Sequence, residues 1–171
     1  MPTPYHRNVR RLLLLLCLIA LSACGGGSDL TAPAPDLDAL AAAPLIDLDG
    51  DPAEPLALDP SRPTAIWFTT PWCRQCEPQL QEALAAAAEV CDAHLVIVIG
   101  RAAEGAIGQY VDANTVPSTC TDPPRIVTDP TGQGFGSVPV ITAPTWLFVT
   151  GDVEVVRDRV PVDQLTERLA R

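Results

Sequence analysis

The chain has 171 residues, 47% of them apolar, and its 21 acidic residues outnumber its 11 basic ones, which gives a formal net charge of −10 at pH 7. All 11 of these basic residues are arginine. Because phosphate binding depends on clustered lysine and arginine, this balance excludes nucleic acid and anionic lipid headgroups as partners. The length suits one folded domain.

The first 23 residues have the pattern of a bacterial export signal. A segment with three arginines precedes an apolar run over residues 12–21, which is too short to cross a bilayer core of about 30 Å as a helix. The run ends in Leu21-Ser22-Ala23-Cys24, which resembles the lipobox of lipoproteins, in which the cysteine receives the lipid. An ordinary signal peptide with an incidental cysteine is the alternative. We predict a signal peptide over residues 1–23 and lipidation at Cys24, which leaves 8 basic against 21 acidic residues, a net charge of −13.

Residues 24–44 are rich in glycine, alanine, proline and aspartate and show no hydrophobic periodicity. This composition predicts a flexible tether behind the lipidated cysteine, with a reach of about 25 Å. The protein is therefore expected in the cell envelope, held by its lipid on the extracytoplasmic side of a membrane. Gly25 directly after the cysteine favours an outer membrane, facing the periplasm, if the organism has one, although the choice between inner and outer membrane stays open.

The remaining residues, 45–171, are predicted to form one domain. Apolar runs and alternation predict strands over residues 45–51 and 56–58 around an Asp-Gly turn, and then over 64–69, 94–99, 125–128, 145–150 and 153–157. Helical spacing of apolar residues predicts helices over 73–90, 104–113 and 161–171. This order of elements is typical of an α/β domain with a mixed sheet covered by helices.

The sequence Pro71-Trp72-Cys73-Arg74-Gln75-Cys76 lies where a predicted buried strand passes into a predicted helix. Two cysteines three positions apart on a first helical turn can close a disulfide without moving the backbone. The unpaired N–H groups at the helix start stabilise a thiolate on the first cysteine. We therefore predict that Cys73 attacks and that Cys76 resolves the resulting mixed disulfide, as the catalytic pair of a dithiol–disulfide exchange.

A zinc site and a permanent disulfide are the structural alternatives for this pair. Zinc needs four ligands, and only Cys91, Cys120 and His94 remain as further candidates, each singly placed, so no metal site and no cofactor are predicted. A copper-handling protein would need a better placed histidine or methionine near the cysteines. A permanent disulfide stays open, because exported proteins meet an oxidising environment.

Residues 45–171 resemble the membrane-anchored, extracytoplasmic thioredoxin-like proteins typified by TlpA and ResA. Four segments carry this resemblance in order: an early hairpin at 48–51, the strand-to-WCxxC turn at 68–76, a D-x-x-G segment at 128–132 and the x-P-T segment at 138–145. The resemblance implies a thioredoxin-like α/β fold, in which a central mixed β-sheet is flanked by helices and preceded by an N-terminal β-hairpin.

The resemblance also implies a substrate-binding edge beside Cys73. Pro144 matches the family's cis-proline, and Ala143 and Thr145 on either side of it are expected to present backbone to a substrate strand. Trp72 is expected to contact the substrate next to the dithiol. A trans proline that begins an edge strand is the alternative.

Two features depart from the family pattern. Trp67 stands where thioredoxin itself has a buried acid, which puts efficient base catalysis of that kind in doubt. Arg74 and Gln75 replace the usual residues between the cysteines and are expected to tune the redox potential. Arg74 favours a Cys73 thiolate and hence a more oxidising couple, whereas Glu77 opposes this effect.

Cys91 and Cys120 are predicted to form a structural disulfide, because a thioredoxin-like sheet places both at the pole opposite the active site. In the chain-entropy view, a bridge that closes a loop of about 30 residues contributes roughly 3 to 4 kcal/mol. Two buried free thiols are the alternative.

Two functions follow from these features. The first is an extracytoplasmic thiol–disulfide oxidoreductase that exchanges its CxxC dithiol or disulfide with cysteines of exported proteins, with a membrane thiol electron donor as a further partner that the resemblance implies. The second is a thioredoxin-fold lipoprotein that acts as a protein-binding module and keeps its CxxC disulfide for structure. The client, the redox direction and the oligomeric state stay open.

Overall fold

The computed structural model describes residues 33–58, 61–91, 93–100, 123–140 and 142–170. The predicted signal peptide, Cys24, the helix over 104–113 and Cys120 lie outside these ranges. Within them, no helix combines the length and the apolar character that a bilayer span requires.

Five strands form a single mixed sheet in the described part of the chain. They are β1 (Thr64–Thr69), β2 (His94–Gly100), β3 (Arg125–Asp129), β4 (Thr145–Thr150) and β5 (Asp152–Val156). Their order across the sheet is β3-β2-β1-β4-β5. The first three run parallel, β4 runs antiparallel to β1, and β5 runs antiparallel to β4. The mixed sheet predicted from the order of elements is confirmed.

Helices cover both faces of this sheet. They are α1 (Leu37–Ala41), α2 (Cys76–Glu89), α3 (Gln133–Ser137) and α4 (Val162–Leu169). On one face α2 packs against α4, and on the other α1 packs against α3. The short α1 and α3 carry no helical periodicity that the sequence alone reveals, because five residues are too few for a repeat.

The central strand β1 shows why its sequence is a continuous apolar run. All six of its residues are buried, since β1 has a strand neighbour on each side and a layer above and below. Successive side chains point to opposite faces. Ala65 and Trp67 belong to the core under α2 and α4, whereas Ile66 and Phe68 belong to the core of the other face.

The domain begins earlier than the composition of residues 24–44 indicates. Asp36 caps α1 by accepting a hydrogen bond from Ala39 N at 2.9 Å, and its own N–H donates to Ser137 O at 2.8 Å. Leu40 of α1 is fully buried. The expectation of a flexible tether is therefore wrong for residues 36–44, because Leu40 is buried in the core and Leu37 packs against the same cluster.

The early hairpin is present only as a tight turn with an isolated bridge between Ile46 and Pro52. Asp47 closes this turn by accepting hydrogen bonds from the backbone N–H groups of residues 49 and 51. Ile46 also pairs with Thr128: Ile46 N donates to Thr128 O at 3.0 Å, and Thr128 N donates to Ile46 O at 2.7 Å. The turn thereby covers the outer edge of β3, which would otherwise expose unpaired backbone groups.

Candidate functional site

The two cysteines of the CxxC motif form a disulfide at the end of β1. Cys73 and Cys76 are bonded, with 5.3 Å between their Cα atoms. A turn joins strand and helix, since Cys73 N donates to Thr70 O at 3.0 Å and Cys76 N to Cys73 O at 2.9 Å. The helix thus begins at Cys76, three residues later than its predicted start.

Burial distinguishes the two sulfur-bearing residues. Cys73 is half-buried and lines the surface, whereas Cys76 is fully buried in the core under α2. Disulfide exchange depends on access to the attacked sulfur. The structure therefore makes Cys73 the position that an external thiol can reach and Cys76 the internal partner.

The first turn of α2 sets the electrostatics of the pair. Its leading N–H groups have no partner within the helix and carry the positive end of the helix dipole, which stabilises a thiolate when the disulfide is reduced. Glu77 lies in the same turn and opposes this effect. Pro78 fits as the third helical residue, because its missing N–H would have had no partner there.

A second segment of the chain, some 70 residues away in sequence, faces the disulfide. The peptide bond between Ala143 and Pro144 is cis. Ala143 O lies 3.7 Å from Cys73 Sγ and accepts a hydrogen bond from Gln75 Nε2 at 3.2 Å. Thr145 is fully buried and its hydroxyl donates to Thr142 O at 2.7 Å, so it supports this loop and does not line the surface.

Three adjoining cavities form a groove past Cys73, here called the Cys73 groove. The middle cavity is lined by Trp72, Cys73, Arg74, Gln75 and Ala143, together with Thr70 and Thr142. Thr142 and Ala143 also line the two flanking cavities. The predicted site residues at positions 72–75 and 143 therefore meet in one place, and Pro144 lines one of the flanking cavities.

The two ends of the groove differ in chemistry. One end is lined by Phe135 and Val140 beside the 63% exposed ring of Trp72. The other contains Arg157 and Arg159 with Gln79, Pro144 and Asp158. Of these lining residues, Trp72 and Pro144 were predicted from the sequence. Phe135, Arg157 and Arg159 were missed, because each lies in a segment whose local pattern carries no sign that it meets the CxxC turn.

Phe135 reaches the groove because two neighbours hold it in place. A Cβ added at Gly100 would lie 2.5 Å from the Phe135 ring, so only glycine at the end of β2 leaves room for it. Fully buried Asp129 accepts a hydrogen bond from Phe135 N at 2.8 Å, and one from the Thr131 hydroxyl at 3.2 Å. The D-x-x-G segment thus supports the apolar end of the groove.

Asp129→Ala is expected to lower the free energy of unfolding by about 1 to 3 kcal/mol, because it leaves the Phe135 N–H without an acceptor. Asp129→Asn keeps an acceptor oxygen at that place, and we expect its free energy of unfolding to fall clearly less than that of Asp129→Ala. Urea unfolding of both variants checks this prediction. An equal loss in the two variants would show that the carboxylate charge matters and the acceptor does not.

Cys91 is the one further cysteine among the described residues, and it does not line the groove. Cys91 is disulfide-bonded, and because Cys120 lies outside the described residues, the Cys91–Cys120 pairing stays a prediction, as does lipidation of Cys24. Across the described ranges, no three His, Cys, Asp or Glu side chains are placed to hold a metal ion.

Known proteins resemble this chain in structure more than in sequence. No family model and no curated protein matches the sequence. The structure of MTB DsbF in its mixed oxidized and reduced forms matches with a TM-score of 0.66 at 27% identity, over 80% of this chain and 97% of that one. A secreted Mycobacterium tuberculosis disulfide oxidoreductase homologous to E. coli DsbE matches with a TM-score of 0.65 at 23% identity, over 78% of this chain and 97% of that one. The exposed lipoprotein thioredoxin Etrx1 of Streptococcus pneumoniae matches with a TM-score of 0.59 at 18% identity, over 73% of this chain and 95% of that one.

These likenesses agree with the fold and the site built from the residues. The mixed sheet, the disulfide between β1 and α2 and the proline loop beside it occur together in this chain. They give the chain a thioredoxin-like fold with a CxxC disulfide, the arrangement that its structural neighbours among the thiol–disulfide oxidoreductases share.

Proposed function

We propose that this protein exchanges its Cys73–Cys76 disulfide or dithiol with cysteines of exported proteins on the extracytoplasmic side of a membrane. One observation carries the proposal: the half-buried Cys73 lies in an open groove, with the backbone oxygen of Ala143 3.7 Å from its sulfur. An extended chain can hydrogen-bond to a backbone edge of this kind while its cysteine reaches Cys73.

The exchange proceeds in two displacements. A client thiolate attacks Cys73 Sγ, a bond forms between the two sulfurs, and the Cys73–Cys76 bond breaks with Cys76 leaving as a thiolate. A second client thiolate then attacks the client sulfur and releases Cys73. The client loses two electrons and the CxxC pair gains them, and the reverse sequence reduces a client.

The location and the anchor belong to the same proposal. The lipobox-like sequence before Cys24 supports export and lipidation, and likeness to a secreted oxidoreductase and to an exposed lipoprotein thioredoxin fits such a place. Cysteine-containing exported proteins are the proposed partners, together with a membrane thiol donor that restores the dithiol if the protein acts as a reductase.

The reduction potential of the Cys73–Cys76 pair tests the function. The full chain in detergent is equilibrated with glutathione or dithiothreitol buffers, and alkylation followed by peptide mass analysis reports each cysteine separately. We expect a value between about −120 and −270 mV, the span of working oxidoreductases. A pair that resists reduction below about −300 mV would instead support the binding-module function with a structural disulfide.

A further inference from the structure

Gln75 occupies a backbone acceptor close to the reactive sulfur. Its Nε2 donates to Ala143 O at 3.2 Å, and the same oxygen lies 3.7 Å from Cys73 Sγ. The Gln75 side chain is exposed and lies in the Cys73 groove. The Ala143 carbonyl therefore already accepts a hydrogen bond from the Gln75 amide at the point where a client chain would have to pass.

A client strand and the Gln75 amide compete for this oxygen. A polypeptide that places its cysteine against Cys73 brings its own backbone N–H groups to Ala143, whose carbonyl oxygen lies 3.7 Å from that sulfur and which lines the same groove. Because Gln75 both donates to this oxygen and lines the groove, its amide lies where the incoming strand would pass. Small thiols carry no peptide N–H and reach Cys73 without displacing the glutamine.

We infer that Gln75 is a gate for polypeptide clients: its amide must leave Ala143 O before a client strand can hydrogen-bond there. The inference rests on the proposed function and adds a specificity residue to it. Gln75 slows exchange with peptides relative to exchange with small dithiols. Because the displaced bond is an exposed, neutral hydrogen bond, the expected effect is modest, about 3- to 10-fold in rate.

The test compares two thiol probes on the oxidised full chain. One probe is a reduced pentapeptide with a central cysteine flanked by alanine and valine, and the other is dithiothreitol. Acid quenching, alkylation and peptide mass analysis give the initial rate at which the Cys73–Cys76 disulfide is lost. A third probe is the same peptide with N-methyl groups on the backbone nitrogens around its cysteine, which removes the competing donors.

Gln75→Ala is expected to raise the ratio of the pentapeptide rate to the dithiothreitol rate about 3- to 10-fold and to leave the ratio of the N-methyl peptide rate to the dithiothreitol rate unchanged. Gln75→Glu keeps the length of the side chain but cannot donate to a carbonyl, and should raise the ratio of pentapeptide to dithiothreitol rates as well. Gln164→Ala, an equally exposed glutamine on α4, should leave all three rates unchanged.

Three results would overturn the gate. An unchanged pentapeptide rate in Gln75→Ala means that the bond to Ala143 does not limit access. A slower rate means that Gln75 contacts the client and does not block it. An equal rise with dithiothreitol means that Gln75 alters the reactivity of the sulfur itself. If neither dithiothreitol nor peptide opens the wild-type disulfide, the proposed function fails as well, which distinguishes the two failures.

Discussion

Cys73→Ser is expected to lose disulfide exchange by on the order of a thousandfold or more, because it removes the nucleophile that an external thiol can reach. The remaining Cys76 is fully buried behind it in the core and cannot replace it. Cys76→Ser is expected to behave differently. It keeps the accessible Cys73 and loses the resolving thiol, so a mixed disulfide with a probe accumulates.

The two serine variants serve as matched controls for each other. Each is mixed with a peptide disulfide at neutral pH, quenched with acid and analysed by intact mass, where the adduct appears as an added peptide. We expect the adduct in Cys76→Ser and its absence in Cys73→Ser. The opposite pattern would reverse the assigned order of attack and would contradict the burial difference between the two residues.

Trp67→Ala is expected to lower the free energy of unfolding by about 3 to 5 kcal/mol, the usual cost of emptying a large buried aromatic site. Trp67 is fully buried in β1, between Ile97 of β2 and Trp146 of β4. Its ring stacks on that of Trp146 with 5.4 Å between centroids. It packs in the same core as Cys76, so this tryptophan supports the start of α2.

Trp72→Ala provides the matched comparison, because this tryptophan is 63% exposed. We expect it to change the free energy of unfolding by no more than about 0.5 kcal/mol. The same variant should slow exchange with the pentapeptide, since the ring lines the Cys73 groove. Urea unfolding followed by far-ultraviolet circular dichroism, with the disulfide intact, gives both stabilities. A loss of unfolding free energy in Trp67→Ala as small as that in Trp72→Ala would contradict the prediction and show that the core closes around the missing ring.

Local patterns were enough to predict much of the fold. The continuous apolar run of β1, the helical spacing in α2 and the hairpin of β4 and β5 depend on neighbours within a few positions along the chain. The same is true of the CxxC motif, because its chemistry needs only a strand end and a helix start. Cys73 and Cys76 were therefore identified as a pair before any three-dimensional information.

Short elements and their docking were predicted less well. The composition around Leu40 favours a tether, and the sequence of α3 gives no sign of a helix. Both are five-residue helices, which depend on the surface against which they pack. The early hairpin became a single bridge, since its Ile46 pairs with both Pro52 and Thr128. Each of these outcomes depends on contacts between segments that are distant in sequence.

The sequence by itself determined the nature of the reactive pair, the order of the main strands and helices, and the acidic net charge from which we predict that nucleic acid is not a partner. The family resemblance already implies that Ala143 and Pro144 lie beside Cys73, whereas only the tertiary structure decided their contacts and the residues at the two ends of the groove. The approach of Ala143 O to Cys73 and Gln75, and the placement of Phe135 and Arg157 at opposite ends of the groove, come from the register of β1 against β4 and from a loop held by Asp129. Phe135 and Arg157 have no periodicity or spacing that links them to the CxxC motif, so packing alone reveals their place in the groove.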